Sequence, residues 1–352
     1  MSPETALDTA SLYREATRNA GNSDEGRTEH DRFCMQINHA AMDGTLGTVV
    51  QTLDDVATGA PALKKHPLIQ QLRDALLTAV ESRRHDVAEY LIRKGVVADP
   101  SHGKSATFNR DVAMLELLLQ GGWDINEAIA WDDPPALARA VEDVVLTDWF
   151  LLNGADPNAR CGVDLTPLSI AVRDAPLATT RKLFEHGGSV ASGQLLHHAV
   201  MNNVEDPTEL IKYLVCQGSQ INAVMYQSCP QSYDKLLGVG FTLGTPLHDA
   251  AERGNLSIAR TLVAMGADTS IRDSCGDLAE DRARNERHTA VHTFLRTLPV
   301  SPVLARLYRP HEGDLQGCRV RQRWKVHRVG EAALVRGDAL LFFHLASHRV
   351  SS

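Results

Sequence analysis

From Thr245 to Asp268 the polar and apolar positions describe two short helices and a stop. Thr245 offers a hydroxyl to cap the first helix, and Pro246 suits its first position, where no backbone donor is needed. Ala250 and Ala251 keep that helix thin where neighbouring helices press on it. Leu262 and Val263 lie one turn beyond Ile258 and Ala259, so the second helix carries one apolar stripe and must bury it. Gly266 suits the left-handed backbone that ends a helix, and Asp268 opens a polar turn.

The pattern returns in phase along most of the chain. Leu165-Thr166-Pro167-Leu168 leads to Ala171-Val172, Leu183-Phe184 and Gly187-Gly188. Leu196-His197-His198-Ala199 leads to Leu214-Val215 and Gly218, and Leu76-Leu77-Thr78-Ala79 leads to Leu91-Ile92 and Gly95. Pro135-Ala136-Leu137 leads to Leu151-Leu152 and Gly154. Leu118-Leu119 leads to Gly122-Trp123, but the first helix of that copy, Ser101–Thr107, reads as eroded. Asn38-His39-Ala40-Ala41 reads as a divergent first copy, and Asp273 to Leu295 as a polar last one. The glycines that close second helices stand at 95, 122, 154, 187, 218 and 266, with spacings of 27, 32, 33, 31 and 48. One such unit cannot bury its apolar face alone, so the copies must stack.

Thr245-Pro246-Leu247-His248, followed by Ala250-Ala251, Gly254-Asn255, Leu262-Val263 and Gly266-Ala267-Asp268, resembles the ankyrin repeat. The resemblance covers residues 33–298. It implies an all-α solenoid of about seven to eight helix-turn-helix units joined by short β-hairpin loops. A tetratricopeptide array has a similar period, but its Trp, Leu-Gly and Tyr marks are missing. The long interval between Gly218 and Gly266 holds about 15 extra residues, placed at Tyr226–Phe241. An ankyrin stack has a hairpin finger there, so the insertion reads as an enlarged loop. Residues 1–32 read as a flexible segment with a short helix over Ala6–Ala20, and residues 299–352 as a basic, non-repeat tail. The copy at 101–126 and the Pro134-Pro135 start after it are the expected weak joint.

Aromatic residues make up only 5% of the chain, so the core must be built from Leu, Val, Ile and Ala. The net charge of −8 is unevenly spread. Residues 299–352 hold nine Lys and Arg against four Asp and Glu, which leaves 27 against 40 in the rest. An acidic body disfavours a broad nucleic-acid footprint. Apolar runs such as Ala339–Phe343 fall far short of the ~18 residues of a membrane span. The start, MSPETALDTASLYRE, lacks the basic and then apolar stretches of a secretory signal. Six dispersed cysteines without a C-x-x-C suit a reducing compartment, cytosol or nucleus.

No nucleophile elbow, Walker loop or dinucleotide fingerprint occurs, and no cofactor or metal is expected. His288 and His292 are one helical turn apart, but Thr289 stands where a zinc protease needs Glu, and a structural role is the simpler reading. Cys216 and Cys229 read as free thiols, and one of His197 and His198 matches His248 of the signature. Arg319, Arg321, Arg323 and Lys325 alternate along the tail, which suits nuclear import or an anionic partner as well as a plain solvated end.

The resemblance implies a non-enzymatic scaffold that binds an unidentified protein partner through a concave face of hairpin tips and first helices. Two tip regions stand out: Trp131, Asp132 and Asp133, and the insertion with Tyr226 and Tyr233. Aromatic residues are enriched where binding energy concentrates. Asn158, Arg160 and Asp273 occupy equivalent tips. A transcriptional or signalling regulator directed to the nucleus by the tail is the alternative, and an accessory to an enzyme is a third reading.

Overall fold

The computed structural model describes residues 29–43, 46–51, 67–202 and 206–298. The chain divides into two units, Met1–His311 and Glu312–Ser352, and all described residues lie in the first. The expected helix over Ala6–Ala20 and the tail cations Arg319, Arg321, Arg323 and Lys325 fall outside them.

Helix α1 (Glu29–Asp43) starts four residues ahead of Phe33, inside the stretch read as flexible, and packs on α2. Seven pairs follow: α2 and α3 (Pro67–Glu81, His85–Arg93), then α4 and α5 (Pro100–Phe108, Val112–Gln120). The third pairs a 3-10 turn, Ala136–Arg139, with α6 (Val144–Leu152). Then come α7 and α8 (Pro167–Asp174, Leu177–Glu185) and α9 and α10 (Leu195–Val200, Pro207–Cys216). After α11 (Pro230–Gly238), which belongs to no pair, come α12 and α13 (Pro246–Glu252, Leu256–Ala264) and α14 and α15 (Ala279–Asn285, Thr289–Arg296). First helices pack on first helices from α2 to α14, with the 3-10 turn taking its place in that row. The all-α repeat solenoid is therefore the fold. Among the described residues the expected hairpins shrink to single antiparallel bridges, Ala130 with Asp133 and Arg272 with Leu278.

The glycine stops behave as their spacing predicts. Gly95, Gly122, Gly154, Gly187, Gly218 and Gly266 all have φ between +85° and +99°, where a Cβ would be strained. Three asparagines, each four residues past such a glycine, then tie one unit to the next. Asn126 donates to Gly154 O and accepts from Asp156 N; Asn158 does the same with Gly187 O and Ser189 N. Asn222 does it with Gly266 O and Asp268 N, across the whole insertion.

Of the two parts of the expected weak joint, the 101–126 copy is sound and the Pro134-Pro135 start is not. Ser101–Thr107 is not eroded: α4 is a nine-residue helix, capped by Asp99 and opened by Pro100. The signal was obscured because Gly103 carries no side chain. The Trp123 indole lies in that space, where a Cβ on Gly103 would collide with it. Trp123 is 4% exposed and meets Phe150 edge-on, with centroids 6.4 Å apart. The true loss is one unit later, where Pro134-Pro135 leaves only a four-residue 3-10 turn.

The insertion is measured by hydrogen bonds at the base of each finger. Cys161 N donates to Leu165 O, and Asp273 N to Asp277 O, each spanning four residues. Met225 N donates to Gly244 O, spanning nineteen, so fifteen residues are looped out from a closed base. The units on either side still meet, since α9 packs on α12 and α10 on α13. The looped-out residues are not an open loop, because they fold into α11.

Candidate protein-interaction surface

The side chains at the fingers fall into two groups. One group is locked into the stack. Asp273, proposed as a tip, is 6% exposed, and its carboxylate accepts from Arg282 Nε at 2.8 Å. Arg282 also contacts Glu252 at 2.8 Å and Asp249 at 3.7 Å and donates to Thr242 O. Burial works against the Arg282 charge, but the surrounding carboxylates outweigh it and its pKa rises. Asp249 in turn lies 2.7 Å from His197 Nδ1, so a buried charge network joins α9, α12 and α14. Asn158 is occupied by its bridge to the next unit. Tyr226 is 3% exposed at φ +61°, its backbone N–H donating to Gln194 Oε1, and burial pushes its phenol up. Tips are usually exposed, but Tyr226 and Asp273 are buried in their fingers, and Asn158 is half-buried with its amide in the bridge.

The other group faces outward. Trp131 is 42% exposed. Asp133 beside it binds Lys104 at 3.1 Å and Arg139 at 2.6 Å, which fixes the finger, while Asp132 is half-buried. Arg160 is exposed and stands 3.6 Å from Asp164. Tyr233 is half-buried and lines a shallow cleft with Val224, Gln227, Asp234 and Arg272.

Helix α11 joins part of this group together. Pro230 opens it and Ser232, fully buried, donates its hydroxyl to Gly162 O at 3.3 Å. One turn on, Lys235 Nζ stands 3.2 Å above the centre of the Trp131 ring. Gly162 abuts the same indole, and a Cβ there would strike it. Trp131 thus contacts both the Gly162 backbone and the Lys235 ammonium, the latter in a cation–π geometry. The contact itself has no local sequence signal, but Pro230 at the first helical position and Gly240 at the stop, with φ +90°, are a readable helix signal.

The remaining chemical candidates are structural. His288 Nε2 donates to Glu252 O at 2.9 Å. Among the described residues no group of three or more His, Cys, Asp or Glu is placed to hold a metal, and Cys161, Cys216, Cys229 and Cys275 are free thiols. No described helix is long and apolar enough to cross a membrane.

The comparisons with known proteins converge on this architecture. The family model for the ankyrin repeat matches residues 244–274. The chain is 41% identical over 69 residues to the human Espin-like protein, a match covering 18% of this chain and 7% of that one. It is 29% identical over 148 residues to the mouse B-cell lymphoma 3 protein homolog, covering 40% of this chain and 29% of the relative. It therefore spans less than a third of either relative's length. The matched signature at 244–274 and the stacked helix pairs closed by left-handed glycines together make this chain an ankyrin-repeat protein.

Proposed function

We propose that this chain is a non-enzymatic interaction module that binds a partner protein through its finger side. The supporting observation is the exposed Trp131 finger, braced by Lys104 and Arg139 through Asp133. A rigidly held, partly exposed Trp among charged neighbours is the composition that concentrates binding energy. Trp131, Asp132, Arg160 and Tyr233 are the contact residues of this proposal, and Asp133 positions them. Partners are identified by affinity purification with mass spectrometry, and the Trp131→Ala, Asp132→Ala double variant is then titrated. A loss of tenfold or more in affinity, with unchanged circular dichroism, is the expected result. Full affinity in a folded variant would move the site to the second helices or to the tail.

A second reading rests on the sequence of the tail, where Arg319, Arg321, Arg323 and Lys325 alternate. In it the module regulates transcription or signalling and the tail directs it to the nucleus. Equal distribution of the tagged chain with and without residues 299–352 would contradict that reading.

A further inference from the structure

We propose that the strip formed by Trp131 and Gly162 is a receptor for a short helix, and that α11 fills it in cis as a replaceable occupant. This deepens the finger-side reading above and depends on it. The first support is that α11 is not needed to complete the stack. Its base is closed by Met225 N and Gly244 O, and Asn222 ties the flanking units together directly. The fifteen inserted residues nevertheless fold back onto fingers 70 and about 104 positions upstream, at Gly162 and Trp131.

The second support is how much of the helix lies open to solvent. Of its nine residues only Ser232 is buried; Pro230, Gln231, Asp234, Lys235 and Gly238 are exposed. The Ser232 hydroxyl on a backbone carbonyl and the Lys235 ammonium over a ring are directional contacts that a competing helix can replace.

The third support is that the occupant spells out its competitor. Ser232 and Lys235 are three residues apart, so both project from one face of a helix. A partner segment that fits the strip is a helix with a hydroxyl donor for Gly162 O and, one turn later, a Lys or Arg for the face of Trp131. The glycine at 162 is part of the specificity, because any side chain there would displace the indole.

The test uses the full chain and a labelled synthetic peptide of residues 226–241, read by fluorescence anisotropy. The Ser232→Asp, Lys235→Glu variant disables the cis occupant through residues outside the stack. It is expected to bind the peptide at least tenfold more tightly than the wild-type chain, whose strip is filled. Adding Trp131→Ala to that variant is expected to return binding to the wild-type level or below. Hydrogen exchange of residues 230–238 supplies a reading free of the peptide. In the wild-type chain carrying only Lys235→Ala, those amides should exchange several-fold faster while α12 and α13 are unchanged. Equal peptide binding by the wild-type and disabled chains, or binding that survives Trp131→Ala, overturns the proposal. Exchange in α11 indifferent to Lys235 does so as well. Loss of partner binding in the Trp131, Asp132 variant would stand in any of these cases, so the two readings fail separately.

Discussion

Helices α12 and α4 begin alike with different residues. In α12, His248 Nδ1 accepts from the Thr245 N–H at 3.1 Å, and its Nε2 donates to Asp277 O at 3.2 Å. In α4, His102 Nδ1 accepts from the Asp99 N–H at 3.1 Å, and its Nε2 donates to Arg73 O at 3.0 Å. A proline follows the cap in both, and both histidines are about 1% exposed. The helices then diverge. Leu247, Ala250 and Ala251 fill the interior of α12, whereas α4 presents Gly103, Ala106 and Thr107 and borrows its volume from Trp123. The buried Thr107 hydroxyl is satisfied by Gly103 O at 2.7 Å. A helix start is thus a portable arrangement of cap, proline and histidine, while the apolar volume behind it can come from another part of the chain.

The sharpest way to break this comparison is to remove the volume on each side. Trp123→Ala should cost about 3–5 kcal/mol and Leu262→Ala, at 0% exposure, about 2–5 kcal/mol, both measured by urea denaturation. A cost near zero for Trp123→Ala would mean that α4 is the eroded helix its composition suggests. A cost near zero for Leu262→Ala would mean that α13 is not packed.

The buried imidazoles give the next largest effect. Burial, with Arg173 and His197 nearby, lowers His198 to about 3, and neither of its ring nitrogens has a described partner. Burial and then Arg282 lower His248 to about 4, against the opposing pull of Asp273. Both are neutral when folded, while an unfolded imidazole takes up its proton near 6.5. The unfolded chain therefore binds more protons below that pH, and stability falls as pH drops from about 6.5 toward 4. At pH 5 each group should cost about 2 kcal/mol relative to pH 7. His198→Leu should remove that group's share of the pH dependence. A urea midpoint that does not move between pH 7 and pH 5 would contradict neutral burial.

Asn158→Ala tests the link between units and should have the smallest effect, about 1–2 kcal/mol for two partly exposed hydrogen bonds. Its signature is a broader unfolding transition, since stacked repeats are coupled through neighbour interfaces. A sharp, unshifted transition would show that the asparagine bridges do not couple the units.

The regular parts of this molecule were legible because they rest on local chemistry. Six glycine stops, the Thr166 cap and the paired alanines can each be read from a few adjacent residues. The finger side was legible only in part. Trp131 and Tyr226 both lie at tips, and nothing adjacent to them says that one is open and the other buried. Their partners lie far off in sequence: Gln194 holds the Tyr226 backbone, and Lys235, about 104 residues beyond Trp131, stands over its ring. The bridging role of Asn158 is hidden from the local sequence for a related reason. Its partners, Gly187 and Ser189, are about thirty residues on, and only the recurrence at Asn126 and Asn222 would have revealed the ladder.

Amide hydrogen exchange on the intact chain tests most directly whether the divergent and signature units belong to one continuous stack. The account predicts protection of the same order in α4 and α12, and distinctly less in the 3-10 turn at Ala136–Arg139. Exchange of residues 100–108 at the rate of unstructured peptide, with α12 still protected, would contradict it.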